Sequence, residues 1–177
     1  MLTLANRLTI LRILMTPVIT VLLLYRQMAA ALALFLLAGI TDALDGLVAR
    51  WRKQKTTLGM VLDPVADKLL LTTTVVTLTI LKELPRWFTI IVVSRDVLLI
   101  GGSVILYMFL GKIGMPPSWM GKATTGFQLV TVLFAMLDTF FPDLKVAILP
   151  LVVITLTLTV TSGLDYIYRG ARLLNDQ

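Results

Sequence analysis

Six long and almost uninterrupted apolar stretches constrain this chain more than any other feature. They cover residues 8–25, 28–49, 64–81, 87–110, 119–141 and 144–168. Each is close to the 17–25 residues that cross a bilayer as a helix, and none alternates with the period of two expected of membrane strands. With 58% hydrophobic and 15% charged residues, the composition is also that of a membrane protein. We therefore predict an all-α integral membrane protein with six transmembrane helices and a short N-terminal juxtamembrane segment.

The basic residues that flank these spans predict the orientation of the chain. One side carries Arg7, Arg12, Arg50, Arg52, Lys53, Lys55, Lys112, Lys122, Arg169 and Arg172, and the other carries Arg26, Lys82, Arg86 and Lys145. Because Lys and Arg concentrate in cytoplasmic loops, we expect both termini and the loop 50–55 in the cytoplasm. The net charge of +6 fits this bias and anionic lipid headgroups, and needs no nucleic acid. No linker or repeat divides residues 1–177, so a single domain is expected.

The chain contains neither cysteine nor histidine. Thiolate nucleophiles, imidazole bases and the ligands that zinc, copper and iron usually take are therefore excluded. Any metal site must use oxygen ligands, which suit hard cations such as magnesium, manganese or calcium.

Four aspartates lie beside the ends of the second and third spans. Asp42 and Asp45 are three residues apart on the second predicted helix, and Asp63 and Asp67 are four apart on the third, so each pair shares a helix face. Asp63 precedes Pro64, which taken alone indicates a helix N-cap. Asp42 and Asp45 approach a helix C-terminus, where the macrodipole disfavours negative charge. Since intramembrane carboxylates are costly without a counter-charge, we predict that the four converge on two divalent cations.

A pair of metal ions held by shared carboxylates commonly promotes displacement at phosphorus. Gly46 and Gly59 would allow the backbone to approach a bulky ligand, and Arg50 offers a planar fork for phosphate oxygens. The stretch therefore predicts a pyrophosphate site at the membrane surface.

The same stretch resembles the signature of the CDP-alcohol phosphatidyltransferases at every fixed position. In this chain the signature reads Asp42-x2-Asp45-Gly46-x2-Ala49-Arg50-x8-Gly59-x3-Asp63-x3-Asp67. The resemblance implies a homodimeric enzyme. With the orientation predicted from the basic residues, we expect a protein of the bacterial inner membrane with a cytoplasmic active site. Such an enzyme transfers the phosphatidyl group of CDP-diacylglycerol to an alcohol and releases CMP.

The resemblance also implies roles for individual residues. Asp42, Asp45 and Asp63 would hold one Mg²⁺ or Mn²⁺, and Asp42, Asp63 and Asp67 the second. Asp67 would also be the general base for the acceptor hydroxyl. The nucleotide moiety would contact Gly46, Arg50, Thr56 and Gly59, together with Asn6 and Arg7. The family often has proline before that asparagine, where this chain has Ala5, so the N-terminal contact departs from the pattern.

The second half of the chain must supply the acceptor site. Arg95, deep in an apolar span, and Lys122 predict an acceptor that carries phosphate, although Arg95 could instead pair with Asp96 and Lys122 could reach the interface as a membrane anchor. The segments 94–102 and 118–130 are similar to cardiolipin synthases of the CDP-alcohol type, which favours phosphatidylglycerol as the acceptor. Glycerol 3-phosphate, the acceptor of phosphatidylglycerophosphate synthases, is the alternative. A metal or ion transporter is a remote alternative, because the second half has no counterpart to the aspartates.

Overall fold

The computed structural model describes the backbone of residues 4–52, 57–110 and 118–175, and the side chains of residues 8–42, 65–104, 108 and 118–172. Over these residues the chain forms six α-helices, one 3₁₀ helix and no strand. The helices are α1 (Leu4–Leu24), α2 (Met28–Arg52), α3 (Thr57–Ile80), α4 (Arg86–Leu110), α5 (Trp119–Leu137) and α6 (Lys145–Asn175), with the 3₁₀ turn at Pro142–Leu144. The predicted all-α class is confirmed, and one helix corresponds to each predicted span.

Three helical segments in the described part of the chain are long and apolar enough to cross a membrane. They are Arg86–Val104, Trp119–Leu137 and Pro142–Arg172. The described apolar parts of α1 and α2, Leu8–Leu24 and Met28–Asp42, are shorter. This architecture is that of an integral membrane protein.

The chain divides into two compact units, one ending at Glu83 and one beginning at Leu84. In the first unit, α1 packs against both α2 and α3. The buried face of α1 repeats at intervals of three and four residues, as expected for a helix with two neighbours. It comprises Thr9, Arg12, Thr16, Ile19 and Leu23. The facing stripe of α2 comprises Met28, Ala31, Phe35 and Ala38.

In the second unit, α6 packs against α4 and α5. The contact between α5 and α6 combines buried apolar residues with hydroxyl groups. Thr131 and Thr155 share a hydrogen bond of 2.8 Å between their Oγ1 atoms, and Thr124 Oγ1 donates to the Leu158 carbonyl at 3.1 Å. Such polar contacts are typical of helix pairs in membranes, where lipid gives little hydrophobic drive for association.

The turns that end α1 and α3 share one geometry. Arg26 and Lys82 take left-handed conformations, with φ of 59° and 68°. The next amide nitrogens, of Gln27 and Glu83, donate at 2.9 Å to carbonyls five residues back, those of Leu22 and Leu78. These are Schellman-type ends that satisfy the last carbonyls of each helix. An exposed ion pair of 3.4 Å between Arg26 and Glu83 links the two turns.

Several predicted boundaries differ from the structure by three residues or more, and those beside Pro64 and Pro142 are the most informative. α3 begins at Thr57, so Asp63 and Pro64 lie inside the helix and the N-cap interpretation of Asp63 is wrong. Membrane helices accommodate an internal proline because its missing N–H removes one hydrogen bond that neighbouring groups can replace. α5 ends at Leu137 rather than at residue 141. Phe141, directly before Pro142, is non-helical with φ −132° and ψ 84°, as expected of a residue that precedes proline.

Candidate active site

The centre of the candidate site is a buried arginine in the first unit. Arg12 occupies the core-facing stripe of α1, and its side chain is only 1% exposed. Thr16, one turn further along α1, donates from Oγ1 to the Arg12 carbonyl at 2.9 Å. A guanidinium so deeply buried requires counter-charges, because its desolvation would otherwise be very costly.

Two carboxylates from neighbouring helices supply those charges. Asp42 of α2 places Oδ1 at 2.6 Å from Arg12 Nη2, and Asp67 of α3 accepts a hydrogen bond from Arg12 Nη1. Both carboxylates continue the buried faces of their helices, since Asp42 follows Ala38 and Asp67 precedes Leu70 and Leu71 by about one turn. The packing of α1 against α2 and α3 therefore determines that the three charges meet.

The carboxylates differ from the arginine in their exposure. The side chains of Asp42 and Asp67 are 47% and 43% exposed, while Arg12 lies beneath them. Among the described residues, Arg12 Nε and Nη2 have no hydrogen-bond partner; the contact of Nη2 with Asp42 is an ion pair by distance without hydrogen-bond geometry. The site thus presents accessible carboxylate oxygens above a buried cation.

The other predicted members of this site lie outside the residues whose side chains are described. They are Asn6, Arg7, Asp45, Gly46, Arg50, Thr56, Gly59 and Asp63. The backbone does show that Asp45 follows Asp42 within α2 and that Asp63 precedes Asp67 within α3. No group of three metal-binding side chains occurs among the described residues, which include only two of the four aspartates.

A second buried arginine organises the other unit. Arg95 of α4 is 8% exposed; its Nη1 donates to Asp96 at 3.0 Å, and its Nη2 donates to Ser162 Oγ of α6 at 3.1 Å. The local pair with Asp96 that the sequence offered as an alternative is therefore present. Arg95 Nε has no hydrogen-bond partner among the described residues.

A glycine of α5, Gly121, lies next to the Arg95 side chain. A Cβ at Gly121 would lie 3.4 Å from Arg95 Nη2, so the absence of a side chain there allows close contact with the guanidinium. Ser118 caps α5 by accepting a hydrogen bond from the Gly121 amide at 3.0 Å. Lys122 follows on the same helix with an exposed side chain. Arg95 thus lies where α4, α5 and α6 meet, and Lys122 lies at the edge of that region.

Sequence reasoning missed two members of these clusters. The charge count uses Arg12 only as a basic residue that indicates orientation, and it does not predict that the side chain is buried against Asp42 and Asp67. A signal was present, since Arg12 falls on the same three-and-four spacing as Thr9, Thr16 and Ile19. Ser162 is one of several hydroxyl residues on α6, and nothing in the sequence distinguishes it as the partner of Arg95.

Comparison with known proteins identifies the family of this chain. The sequence profile of the CDP-alcohol phosphatidyltransferases matches residues 2–161. This chain belongs to that family. The expected membrane-embedded, all-α enzyme of phospholipid synthesis is therefore confirmed.

Relatives of this phosphatidyltransferase carry two kinds of name. A Mycobacterium tuberculosis protein named "probable phosphatidylglycerophosphate synthase" is 35% identical over 96% of this chain and 82% of its own length. The rat cardiolipin synthase (CMP-forming) is 35% identical over 73% of this chain and 48% of its own length. A Schizosaccharomyces pombe cardiolipin synthase and mitochondrial hydrolase fusion protein is 32% identical over 93% of this chain and 30% of its own length.

Proposed function

We propose that this phosphatidyltransferase moves the phosphatidyl group of CDP-diacylglycerol to a hydroxyl of a phosphate-bearing glycerol acceptor, with Mg²⁺ or Mn²⁺ as cofactor. The observation that carries the proposal is the convergence of Asp42 and Asp67, from different helices, on one accessible site. One carboxylate would be enough to neutralise Arg12 if the pairing were purely structural. Such a pairing would also not require the side chains of Asp42 and Asp67 to remain nearly half exposed.

The donor set suits two divalent cations. Asp42 and Asp67 offer accessible carboxylate oxygens, and Asp45 and Asp63 belong to the same two helices. Asp42, Asp45 and Asp63 would hold one ion, and Asp42, Asp63 and Asp67 the other. Bound ions would supply Lewis acidity and neutralise the charge that develops on departing CMP. The absence of cysteine and histidine from the chain makes oxygen-preferring ions the fitting class.

The residues of the chain would bind, orient and deprotonate the substrates. Asp67 accepts the proton of the acceptor hydroxyl, whose oxygen then bonds to the phosphatidyl phosphorus while the bond from that phosphorus to the CMP oxygen breaks. Arg12 holds Asp67 in place from below. A carboxylate base positioned in this way contributes through geometry more than through basicity.

The nucleotide half of the donor would lie along the acidic hairpin. The contacts proposed for it are Asn6, Arg7, Gly46, Arg50, Thr56 and Gly59. Arg7 and Arg50 would pair with pyrophosphate oxygens, and the glycines would leave room for the backbone to approach. These assignments rest on the family resemblance.

Phosphatidylglycerol is the leading acceptor, which would make the product cardiolipin. Arg95 would bind the acceptor phosphate with Lys122 nearby, because Arg95 is buried, retains an unpartnered Nε among the described residues and is held by Ser162. Several relatives named as cardiolipin synthases support this acceptor. Glycerol 3-phosphate is the second candidate, favoured by the mycobacterial relative whose similarity covers 96% of this chain.

The cellular setting completes the proposal. A bacterial inner membrane protein with both termini and the acidic site in the cytoplasm would meet CDP-diacylglycerol where its nucleotide is accessible. A homodimer is proposed from the family resemblance. Transport of metal ions remains the contrasting activity that an assay can exclude.

The decisive experiment identifies the lipid product. Purified protein in liposomes containing CDP-diacylglycerol and Mg²⁺ is supplied with phosphatidylglycerol or with glycerol 3-phosphate, and the products are separated by mass spectrometry. Cardiolipin from phosphatidylglycerol alone supports the leading acceptor, while phosphatidylglycerophosphate alone selects the second. Absence of any CMP-releasing reaction, together with uptake of Mn²⁺ into the same liposomes, would contradict the proposal.

A further inference from the structure

The acidic site contains a cation that belongs to the protein itself. Arg12 contacts Asp42 and Asp67 at once, one through each terminal nitrogen. A guanidinium suits this bridging position because its donors form a rigid fork and its charge persists at any physiological pH. Burial removes it from the screening that weakens surface charges. Its positive charge is therefore present in the site whether or not metal ions are bound.

The charge balance shows what such a residue would do. Without metal, Arg12 offsets part of the repulsion between the carboxylates and lets α2 and α3 pack with their acidic residues adjacent. Two divalent ions would balance the four aspartates, so Arg12 would add a positive charge that the carboxylates no longer offset, besides any that the proposed nucleotide contacts Arg7 and Arg50 bring. That excess disfavours metal binding alone and favours metal binding together with an anionic pyrophosphate.

We propose that Arg12 is a positioning residue that couples metal binding to nucleotide binding. It holds Asp42 and Asp67 in place before the metals bind, and it keeps metal affinity low until the pyrophosphate supplies negative charge. This inference rests on the proposed metal-dependent function. It differs from that function because it concerns the order and strength of binding, which can be measured without turnover.

The test compares Arg12→Gln with the wild-type protein in detergent micelles. Binding of Mn²⁺ is measured by electron paramagnetic resonance, without nucleotide and with CMP added as the anionic probe. For the wild type we expect CMP to raise Mn²⁺ affinity about ten-fold, within the usual range of coupling between sites. In Arg12→Gln, affinity without CMP should rise by about ten-fold and the effect of CMP should fall below about two-fold.

The recovery of thermal stability by Mn²⁺ provides a readout that a merely structural arginine would not move. Arg12→Gln should unfold at a lower temperature than the wild type without metal, and Mn²⁺ should recover most of the loss, since the ions replace the missing counter-charge. Arg26→Gln, which removes the exposed pair with Glu83 in the same unit, is the matched control and should leave both measurements unchanged. A loss of stability in Arg12→Gln that Mn²⁺ does not reduce, with unchanged Mn²⁺ affinity, would overturn the proposal.

A charge-retaining variant keeps the test decisive if Arg12→Gln does not fold. Arg12→Lys preserves the positive charge but loses the fork, so it should be less stable while its Mn²⁺ affinity and response to CMP stay within about two-fold of the wild type. A ten-fold change in either quantity would contradict the coupling. Failure of the wild type itself to bind Mn²⁺ would instead refute the proposed metal dependence, which separates the two claims.

Discussion

Two buried arginines define the chemistry of this protein at the scale of single residues, and their surroundings differ. Arg12 lies between two accessible carboxylates, whereas Arg95 lies between a neighbouring carboxylate and a buried hydroxyl. The first arrangement organises an acidic site. The second leaves a largely buried guanidinium that is suited to an anion, provided that Ser162 fixes its orientation.

Removal of the Ser162 hydroxyl should therefore weaken acceptor binding. In Ser162→Ala, Arg95 Nη2 loses its acceptor, and a hydrogen bond to a charged group of this kind corresponds to about ten-fold in affinity. We expect KM for the acceptor to rise roughly ten-fold while kcat changes by less than about two-fold. Steady-state kinetics with each substrate varied in turn provide the measurement.

Thr161→Ala is the matched control for this prediction. Thr161 is the adjacent residue of α6, is exposed, and bonds only within its own helix in the contacts observed. Its substitution should leave both constants unchanged. An unchanged acceptor KM in Ser162→Ala, or an equal change in KM for CDP-diacylglycerol, would show that Ser162 does not act through the acceptor site.

At the residue level, sequence reasoning predicts that four aspartates converge, and the two whose side chains are described, Asp42 and Asp67, do meet; it does not predict that Arg12 lies between them. The convergence of Asp42 and Asp67 followed from helical spacing and the cost of isolated charges in a membrane. The burial of Arg12 could not be predicted, because an arginine near the start of an apolar span looks the same in the sequence whether its side chain reaches the membrane interface or packs in the protein core. Only the packing of α1 against both neighbours distinguishes the two cases.

At the scale of helices, α4 and α6 are joined by a close contact that a methyl group would disturb. A Cβ at Gly102 would lie 2.7 Å from Tyr166 Cε1, and the Tyr166 hydroxyl is 2.8 Å from Ser103 Oγ. Gly102→Ala should displace the tyrosine ring and lower the free energy of unfolding by about 1–2 kcal/mol. Denaturant titration in a mixed-micelle system measures this change.

The neighbouring glycine provides an internal control. A Cβ at Gly101 would meet nothing within 4 Å, and alanine is the better helix former. Gly101→Ala should therefore leave the free energy of unfolding unchanged or raise it slightly. Equal destabilisation by both substitutions would indicate that glycine is needed at this point of α4 for a reason other than Tyr166.

The hydroxyl pair between α5 and α6 makes a smaller, measurable contribution. Thr131 and Thr155 are fully buried and hydrogen-bonded to each other. A double-mutant cycle with Thr131→Val and Thr155→Val should give a coupling free energy of about 0.6 kcal/mol, the average for such contacts in a membrane protein. A coupling indistinguishable from zero would mean that the bond between the two hydroxyls adds nothing to their separate hydrogen bonds with the Phe127 carbonyl.

Element boundaries illustrate what local sequence can and cannot determine. The existence of six helices followed from apolar length alone, and the turn at Pro142 follows from the restriction that proline places on the residue before it. Pro64 gave the opposite result, because α3 continues through it from Thr57. Pro17 and Pro150 likewise lie inside α1 and α6, so proline alone does not locate a helix end in this chain.

At the scale of the whole molecule, the distribution of basic residues predicts orientation, and the natural absence of cysteine makes this simple to test. Gln27→Cys, in the turn between α1 and α2, should react with a membrane-impermeant maleimide added to intact cells. Asn175→Cys, at the end of α6, should react only after the membrane is permeabilised, because the positive-inside bias predicts a cytoplasmic C-terminal end. The reverse pattern would invert the proposed topology.

The central claim is that the accessible aspartates above Arg12 perform the transfer, and the rate of CMP release tests it most directly. With CDP-diacylglycerol, acceptor and Mg²⁺, Asp67→Asn should release CMP at least about 100-fold more slowly than the wild type, and chelation of metal should stop the wild-type reaction. Asp165→Asn, which alters only an exposed pair with Arg169 on α6, should retain the wild-type rate. Wild-type CMP release by a folded Asp67→Asn variant, or release that persists after chelation, would contradict the claim.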